Sequence, residues 1–465
     1  LIKMSTQDGL LKGAIAVALI ALIVSLAGVG YLASKIGALE GKIQDLSTQV
    51  STLQGRLQEL EGKVSQLSTQ QPQPQQPQQP KPPQEQVTIT VVGPWSGKEA
   101  EYFGEVIKAF EEEYPNIKVK YVTKRAEDLA QILPVQFESG MTPGDVIITP
   151  WAWFIVKMAQ KGHVVDVSQY VKKDQYVGGI VDNVVWNGNV WGAPFTMWLK
   201  PGFWYRKSFF EKYGLKEPET WDEFLELLEK LKKIPGVKNP IASGDSVGWP
   251  LSDITEHFLI TFGGPDLQYD LISCKRKFTD PEVADIFKTK LVPLLEKGYF
   301  SEPMEWTSAV ERWWAGEYGL YFMGTWIAGM VKDPDDIDFF PLPGCKAVVG
   351  GADYAFVPKY TKHKEAALTF LHYIATKGQG VHVGTRAGKI PTWLGISTDQ
   401  LWTPMQSVYK KVRERNMKIV PDLDDSVGGD WQTLFWDQLK LLWVQPGQVD
   451  NVLQTLAREH PQCGG

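Results

Sequence analysis

Only three cysteines and six histidines occur in 465 residues, and they are scattered. That excludes the closely spaced ligand sets of structural or catalytic metal centres, and no cofactor is expected. No H-E-x-x-H is present, so a zinc-protease helix is excluded. The stretch Gly384 to Lys389 (GTRAGK) has its glycines one residue too close for a phosphate loop. Ile390 also stands where such a loop requires Ser or Thr. There is no excess of positive charge: 48 Lys and Arg face 54 Asp and Glu, a net charge of −6. A nucleic-acid partner would leave a basic footprint, and none is seen. Acidic residues are plentiful, but no pair is singled out as the two carboxylates of a glycosidase. These absences favour binding over catalysis.

The N-terminal part is rich in pattern. Ala14 to Ser34 is an uncharged apolar run. As a helix it would cover roughly 30 Å, enough for a bilayer core. Lys3 and Lys12 precede it, which places the N-terminus inside and the rest outside. A secretory signal peptide is the rival reading, but the run is long and no A-x-A site follows it. Lys12-Gly13 directly before the run resembles the class III leaders of archaeal pilins and of some archaeal binding proteins, which are cut ahead of the apolar helix.

Heptads follow. Ile36, Ile43, Val50, Leu57 and Val64 occupy one seam position, and Leu39, Leu46, Leu53, Leu60 and Leu67 the other. Mostly β-branched residues at the first position with Leu at the second favour a parallel two-stranded coiled coil, with trimers still open. A single amphipathic helix packed on its own domain is the alternative. Residues 70–86 are almost entirely Gln and Pro. They predict a semi-rigid arm on the order of 50 Å. The expected organisation is therefore a membrane segment (1–35), a coiled coil (36–69), a linker (70–86) and a globular part (87–465).

The globular part reads as α/β. Short β-rich runs at 87–92, 117–122 and 146–149 alternate with helical stretches at 99–114 and 126–139. This rhythm predicts a mainly parallel sheet with helices on both faces. Ligands of such sheets bind beyond the carboxyl ends of the strands, where Trp95-Ser96 and Pro150-Trp151-Ala152-Trp153 fall. Eighteen tryptophans are present, several beside Gly, Pro or Ser at such ends. Trp204 and Trp221 are assigned to packing.

ITVVGPWSGKEAEYFGEVIKAFEEEYPNIKVKYV resembles the opening of the family 1 extracellular solute-binding proteins, a group that includes maltodextrin-binding proteins. GDVIITPWAWFIVKMAQKGHVVDVSQY, WGAPFTMWLKPGFWYRKSFFEKYGL, WWAGEYGLYFMGTWIAGM, VVGGADYAFVPK and GKIPTW continue the pattern in family order. After the second of these middle segments, Thr220 and Glu223 predict a helix cap and its capping-box partner. The resemblance implies two α/β lobes, a periplasmic-binding-protein-like fold, joined by a hinge crossed near Met197, Gly350 and Pro391. Lobe one would comprise 87–197 and 350–391, and lobe two 198–349 and 392–460. It implies an extracellular receptor that hands a carbohydrate to an ABC-transporter permease. Cys274 and Cys345 then share a predicted lobe, which favours their pairing over either with Cys463.

A sugar offers flat C–H faces and a ring of hydroxyls, so its site needs aromatic surfaces and charged or amide partners. Trp95, Trp151, Trp153, Trp326 and Trp431 are candidate surfaces; Ser96, Asp353, Arg386 and Lys389 are candidate polar groups. Trp326 in GTWIAG matches the family's stacking tryptophan best, and Trp431 or Trp436 a C-terminal aromatic. The PWAW loop carries Trp where maltodextrin binders place carboxylates, which argues against maltodextrin itself. A second function is open: the apolar helix and heptads could build a surface filament or layer that displays the lobes.

Overall fold

The computed structural model describes residues 86–244 and 247–463, together with Ser47, Ser51, Gln54, Gly55, Arg56 and Gln58, which are helical. The expected membrane helix, all ten positions of the heptad seam and the linker except Gln86 lie outside the described residues. Among the described residues no helix is long and apolar enough to cross a membrane. Contacts divide the chain into two units, 1–83 and 84–465.

The second unit is built on two main sheets. Its strands are β1 (Val87–Gly93), β2 (Ile117–Thr123), β3 (Val146–Thr149), β4 (Val185–Trp186), β5 (Asn189–Val190), β6 (Ala193–Lys200) and β7 (Gly202–Arg206). They continue with β8 (Asn239–Ala242), β9 (Tyr318–Met323), β10 (Ile337–Phe340), β11 (Ala347–Phe356), β12 (Ile390–Pro391) and β13 (Lys418–Pro421). The first lobe's sheet runs β12-β6-β11-β3-β1-β2, with β13 added to β11. The second lobe's sheet runs β10-β7-β9-β8. The short β4-β5 hairpin stands apart.

Period-two alternation explains the layering of the first lobe. Ile89, Val91, Val146 and Ile148 share one core with Phe103, Val106 and Phe110 of the helix Gly97–Glu113. Val92 and Ile147 point the other way, into a core with Leu129, Leu133 and Phe154. Both faces of the sheet are therefore covered, as expected.

The strand directions depart from the expectation. β1 is parallel to β2 and β3, as the rhythm predicts. β11, however, is antiparallel to both β3 and β6, and β12 is antiparallel to β6. The sheet is mixed. β6 and β11 connect through the second lobe, so no β-helix-β crossover imposes a parallel direction on them.

The chain passes from the first sheet to the second at Pro201, the single residue between β6 and β7, and returns over 341–346. Gly202 has φ +148°, and a Cβ there would lie 2.2 Å from the Phe340 carbonyl oxygen. Only glycine fits this close switch between sheets. In the second lobe Thr220 Oγ1 accepts from Glu223 N (3.2 Å), as predicted. The Glu223 carboxylate reaches one residue further back than a capping box requires, to Glu219 N (2.7 Å).

The expected Cys274–Cys345 pairing is corrected. Cys274 is bonded to Cys463, with Cα atoms 5.4 Å apart, and Cys345 is free. Sharing a lobe was not enough. Cys345 lies at the return between the sheets, its thiol against the Ala347 carbonyl (3.2 Å), while the turn after the helix Val449–Glu459 brings Cys463 to Cys274.

Candidate functional site

A cavity of ≈ 290 Å³ opens between the two lobes. The first lobe contributes the carboxyl ends of its parallel strands: Pro94 and Trp95 after β1, Pro150 and Trp151 after β3, and Arg125 to Glu127 after β2. Trp198 and Lys200 come from β6, two residues apart and so on one face. Asp353 comes from β11, where the pairing with β6 slips between Ala352 and Tyr354. A bulge of this kind re-aims a side chain, here into the cavity. The second lobe supplies Val247, Trp249, Glu305, Trp306 and Trp326. Asp422, Asp424, Asp425 and Trp436, from the C-terminal part, complete the lining, with Glu99 and Lys389 from the first lobe.

Seven tryptophans thus face one cavity. Four form a continuous array. Trp306 lies 6.0 Å from Trp249, Trp249 lies 5.8 Å from Trp326, and Trp326 meets Trp198 edge-on at 5.7 Å and 89°. Gly351 makes room for this array, since a Cβ there would sit 2.4 Å from the Trp198 ring. Trp151 and Trp436 make a second pair, 6.2 Å apart. Trp95 is held from behind by Phe103 (4.8 Å), and its backbone N–H donates to Tyr121 Oη (2.9 Å).

Charge is concentrated at two places. In the first, Lys389 Nζ bonds Asp353 Oδ2 at 2.8 Å and stands 5.8 Å from the Trp95 ring and 6.0 Å from the Trp326 ring. Beside them, burial pushes the Glu99 carboxyl up to about 7; Lys389 opposes the shift and Asp353 adds to it. In the second, Lys200 is paired with Asp253 and Asp422 at the junction of the lobes. Burial works against the Lys200 charge, but these carboxylates outweigh it and hold its affinity for the proton high. Glu256, Asp424 and Asp425 crowd the same place. Burial, then repulsion from Asp422, raises Asp424 to about 7; burial raises Asp253 to about 8, against the pull of Lys200. Asp424 accepts from Trp436 Nε1 (2.8 Å), Gln432 Nε2 (3.1 Å) and Ser252 Oγ.

Of the residues singled out in the sequence, Trp95, Trp151, Trp326, Asp353 and Lys389 line the cavity. Four others are placed elsewhere. Ser96 is exposed at the N-cap of Gly97–Glu113. Trp153 stacks on Trp151 at 5.9 Å without lining the cavity, and so supports it from behind. Arg386 donates to the Val331 carbonyl (3.2 Å) and lies over the Trp402 ring. Trp431 is core: it stacks on Phe435 at 5.0 Å, and its Nε1 donates to the Leu456 carbonyl (3.2 Å). Trp436, the other C-terminal candidate, lines the cavity. Trp204 is buried, with Nε1 donating to Met323 O (2.7 Å), and Trp221 packs edge-on against Phe262 at 5.2 Å. Sequence reasoning missed Glu99, Trp198, Lys200, Trp249, Trp306 and the acids of Pro421-Asp422-Leu423-Asp424-Asp425. The dense acidic run after a β-rich segment is the one signal that could have flagged them.

The profile of the bacterial extracellular solute-binding protein family matches residues 95–381. The chain belongs to this family. An uncharacterised ABC transporter extracellular-binding protein of Pyrococcus horikoshii is 59% identical over 82% of this chain and 90% of its own. A multiple sugar-binding protein of Streptococcus mutans is 27% identical over 58% of this chain and 67% of its own. The maltotriose-binding protein of Thermus thermophilus, solved with maltotriose, superposes with a TM-score of 0.65 at 20% identity, over 81% of this chain and all of that one. That similarity shows the two-lobed fold. This solute-binding protein is therefore an extracellular component of an ABC transporter, and it is a binder and not an enzyme.

Proposed function

We propose that this solute-binding protein captures a carbohydrate, a mono- or oligosaccharide, and delivers it to its permease while tethered to the membrane by its N-terminal apolar run. One observation carries the reading: a single interlobe cavity in which seven indole rings alternate with carboxylates and ammonium groups. Indole faces match the C–H faces of a pyranose, and the charged groups match its hydroxyls through charge-assisted hydrogen bonds. Several relatives carry sugar-binding names, which supports the same class of solute. The heptads would join copies of the chain, and the Gln/Pro arm would hold the lobes away from the bilayer.

Titration calorimetry of the full chain in non-ionic detergent against a panel of mono- and oligosaccharides tests the carbohydrate reading. Saturable binding with a shift in tryptophan emission is expected. Binding of a non-carbohydrate solute with none to any sugar would overturn it. The ten-position heptad seam also favours a second reading, a filament or surface layer displaying active lobes. Electron microscopy of the cell surface separates the two: isolated stalked particles support the tether, and a periodic lattice supports the layer.

A further inference from the structure

Among the described residues, the cavity lining carries seven carboxyl groups and only three side-chain cations. The cations are already committed. Lys389 is bonded to Asp353, Lys200 to Asp422 and Asp253, and Arg125 to Asp128 of the adjoining helix (3.2 Å). Glu305 accepts the Ser308 N–H of its own helix (2.9 Å). That leaves Glu99, Glu127, Asp424 and Asp425 lining the cavity with no ion pair of their own among the described residues. Behind them the imbalance deepens, because Glu256 is fully buried and Asp253 Oδ2 has no hydrogen-bond partner there.

We propose that the solute is a positively charged saccharide, an amino sugar or an oligosaccharide containing one, with its ammonium group seated against Asp424 and Asp425. This rests on the carbohydrate reading above and narrows it. A neutral sugar can donate hydroxyl hydrogens to these carboxylates, but it brings no charge. Closure over a neutral ligand leaves these carboxyl groups either protonated or buried as unpaired charge, and the ligand compensates neither. An ammonium group supplies both the charge and three donors. The surroundings suit it as well. Trp436 donates to Asp424 from its ring edge and faces Trp151 at 6.2 Å, so indole π-faces and carboxylates occur together at this end. Indole faces attract cations, as Trp198 already does for Lys200 Nζ at 4.7 Å. Lys200 itself occupies the centre of the acidic group, which leaves Asp425, the partly exposed member, for the ligand. Burial raises Asp424 to about 7 and raises Asp425 as well, so an ammonium group seated between them displaces protons that the free site retains.

Calorimetry of the full chain near neutral pH compares glucosamine, galactosamine and the glucosamine disaccharide with glucose, galactose and cellobiose. At least one amino sugar should bind about tenfold more tightly than its neutral counterpart. Repeating the titration in buffers of different ionisation enthalpy should show net proton release with the amino sugar and none with the neutral one. Asp425→Asn should bring the affinity ratio close to one and reduce the proton release; circular dichroism confirms that the variant folds. Equal or tighter binding of the neutral sugars would overturn the charged-ligand proposal and leave the carbohydrate reading standing. Binding of choline with no binding of any saccharide would overturn both. An amino-sugar preference that survives unchanged in Asp425→Asn would overturn the assigned seat.

Discussion

Two tryptophans show how the surroundings of one side chain decide its role. Trp204 is buried under Phe339, with its N–H bonded to the Met323 carbonyl. Trp326 follows the same strand, β9, by three residues, yet its ring is partly exposed in the cavity and meets Trp198 and Trp249 at their edges. Truncating a buried indole removes packing and leaves a hole. Truncating a cavity indole removes mostly a ligand surface. Trp204→Ala should therefore cost about 3–5 kcal/mol of stability. Trp326→Ala should cost little stability and lower ligand affinity by about tenfold or more, as expected for loss of a stacking face. Calorimetric melting and ligand titration of both variants check this. A large melting-point drop with unchanged affinity in Trp326→Ala would move Trp326 into the core.

At the scale of elements, the C-terminal helices behave as part of the second lobe. Gly429–Val444 packs against Trp249–Phe262, and the following helix, Val449–Glu459, packs back on Gly429–Val444. The Cys274–Cys463 bond ties down the end of this series across 189 residues of sequence. Closing so long a loop removes much entropy from the unfolded chain. Cys463→Ser should therefore destabilise the protein by about 2–5 kcal/mol in denaturant unfolding. A non-reducing peptide map should link Cys274 to Cys463 and find Cys345 as a free thiol. Recovery of a Cys274–Cys345 peptide instead would contradict this assignment.

Across the whole binding unit, the two lobes touch through a few specific bonds beside the cavity. Tyr102 Oη on the helix after β1 donates to the Gly329 carbonyl at the turn after β9 (2.9 Å). Arg386 reaches the neighbouring Val331 carbonyl. Lobes joined by short strand connections move by hinge rotation, and bonds of this kind favour the closed arrangement. Saturating ligand should reduce the radius of gyration measured by small-angle scattering. Tyr102→Phe should weaken ligand binding about two- to tenfold through loss of one neutral hydrogen bond, with an unchanged cavity. An unchanged radius of gyration, with binding confirmed by calorimetry, would count against closure.

The sequence by itself determined what depends on short-range order. Alternating apolar residues placed β1, β2 and β3 and the helices between them, because a half-buried strand or helix must repeat every two or 3.6 residues. The strand-end rule pointed to Trp95 and Trp151, both of which line the cavity. Only the tertiary structure decided which of many similar side chains share a space. Trp431 and Trp436 lie on one helix, five residues and so about 140° apart around its axis. One faces Phe278 and Phe435 and the other the cavity, a choice set by what packs on each side. The aim of Asp353 depends on a bulge against β6, and the partner of Cys274 on where the last helix ends. The acidic group around Lys200 gathers residues from β6, the helix Trp249–Phe262 and the segment after β13, more than 200 positions apart at the extremes. No local pattern encodes such an encounter, because it exists only once both sheets and the joint between them have formed.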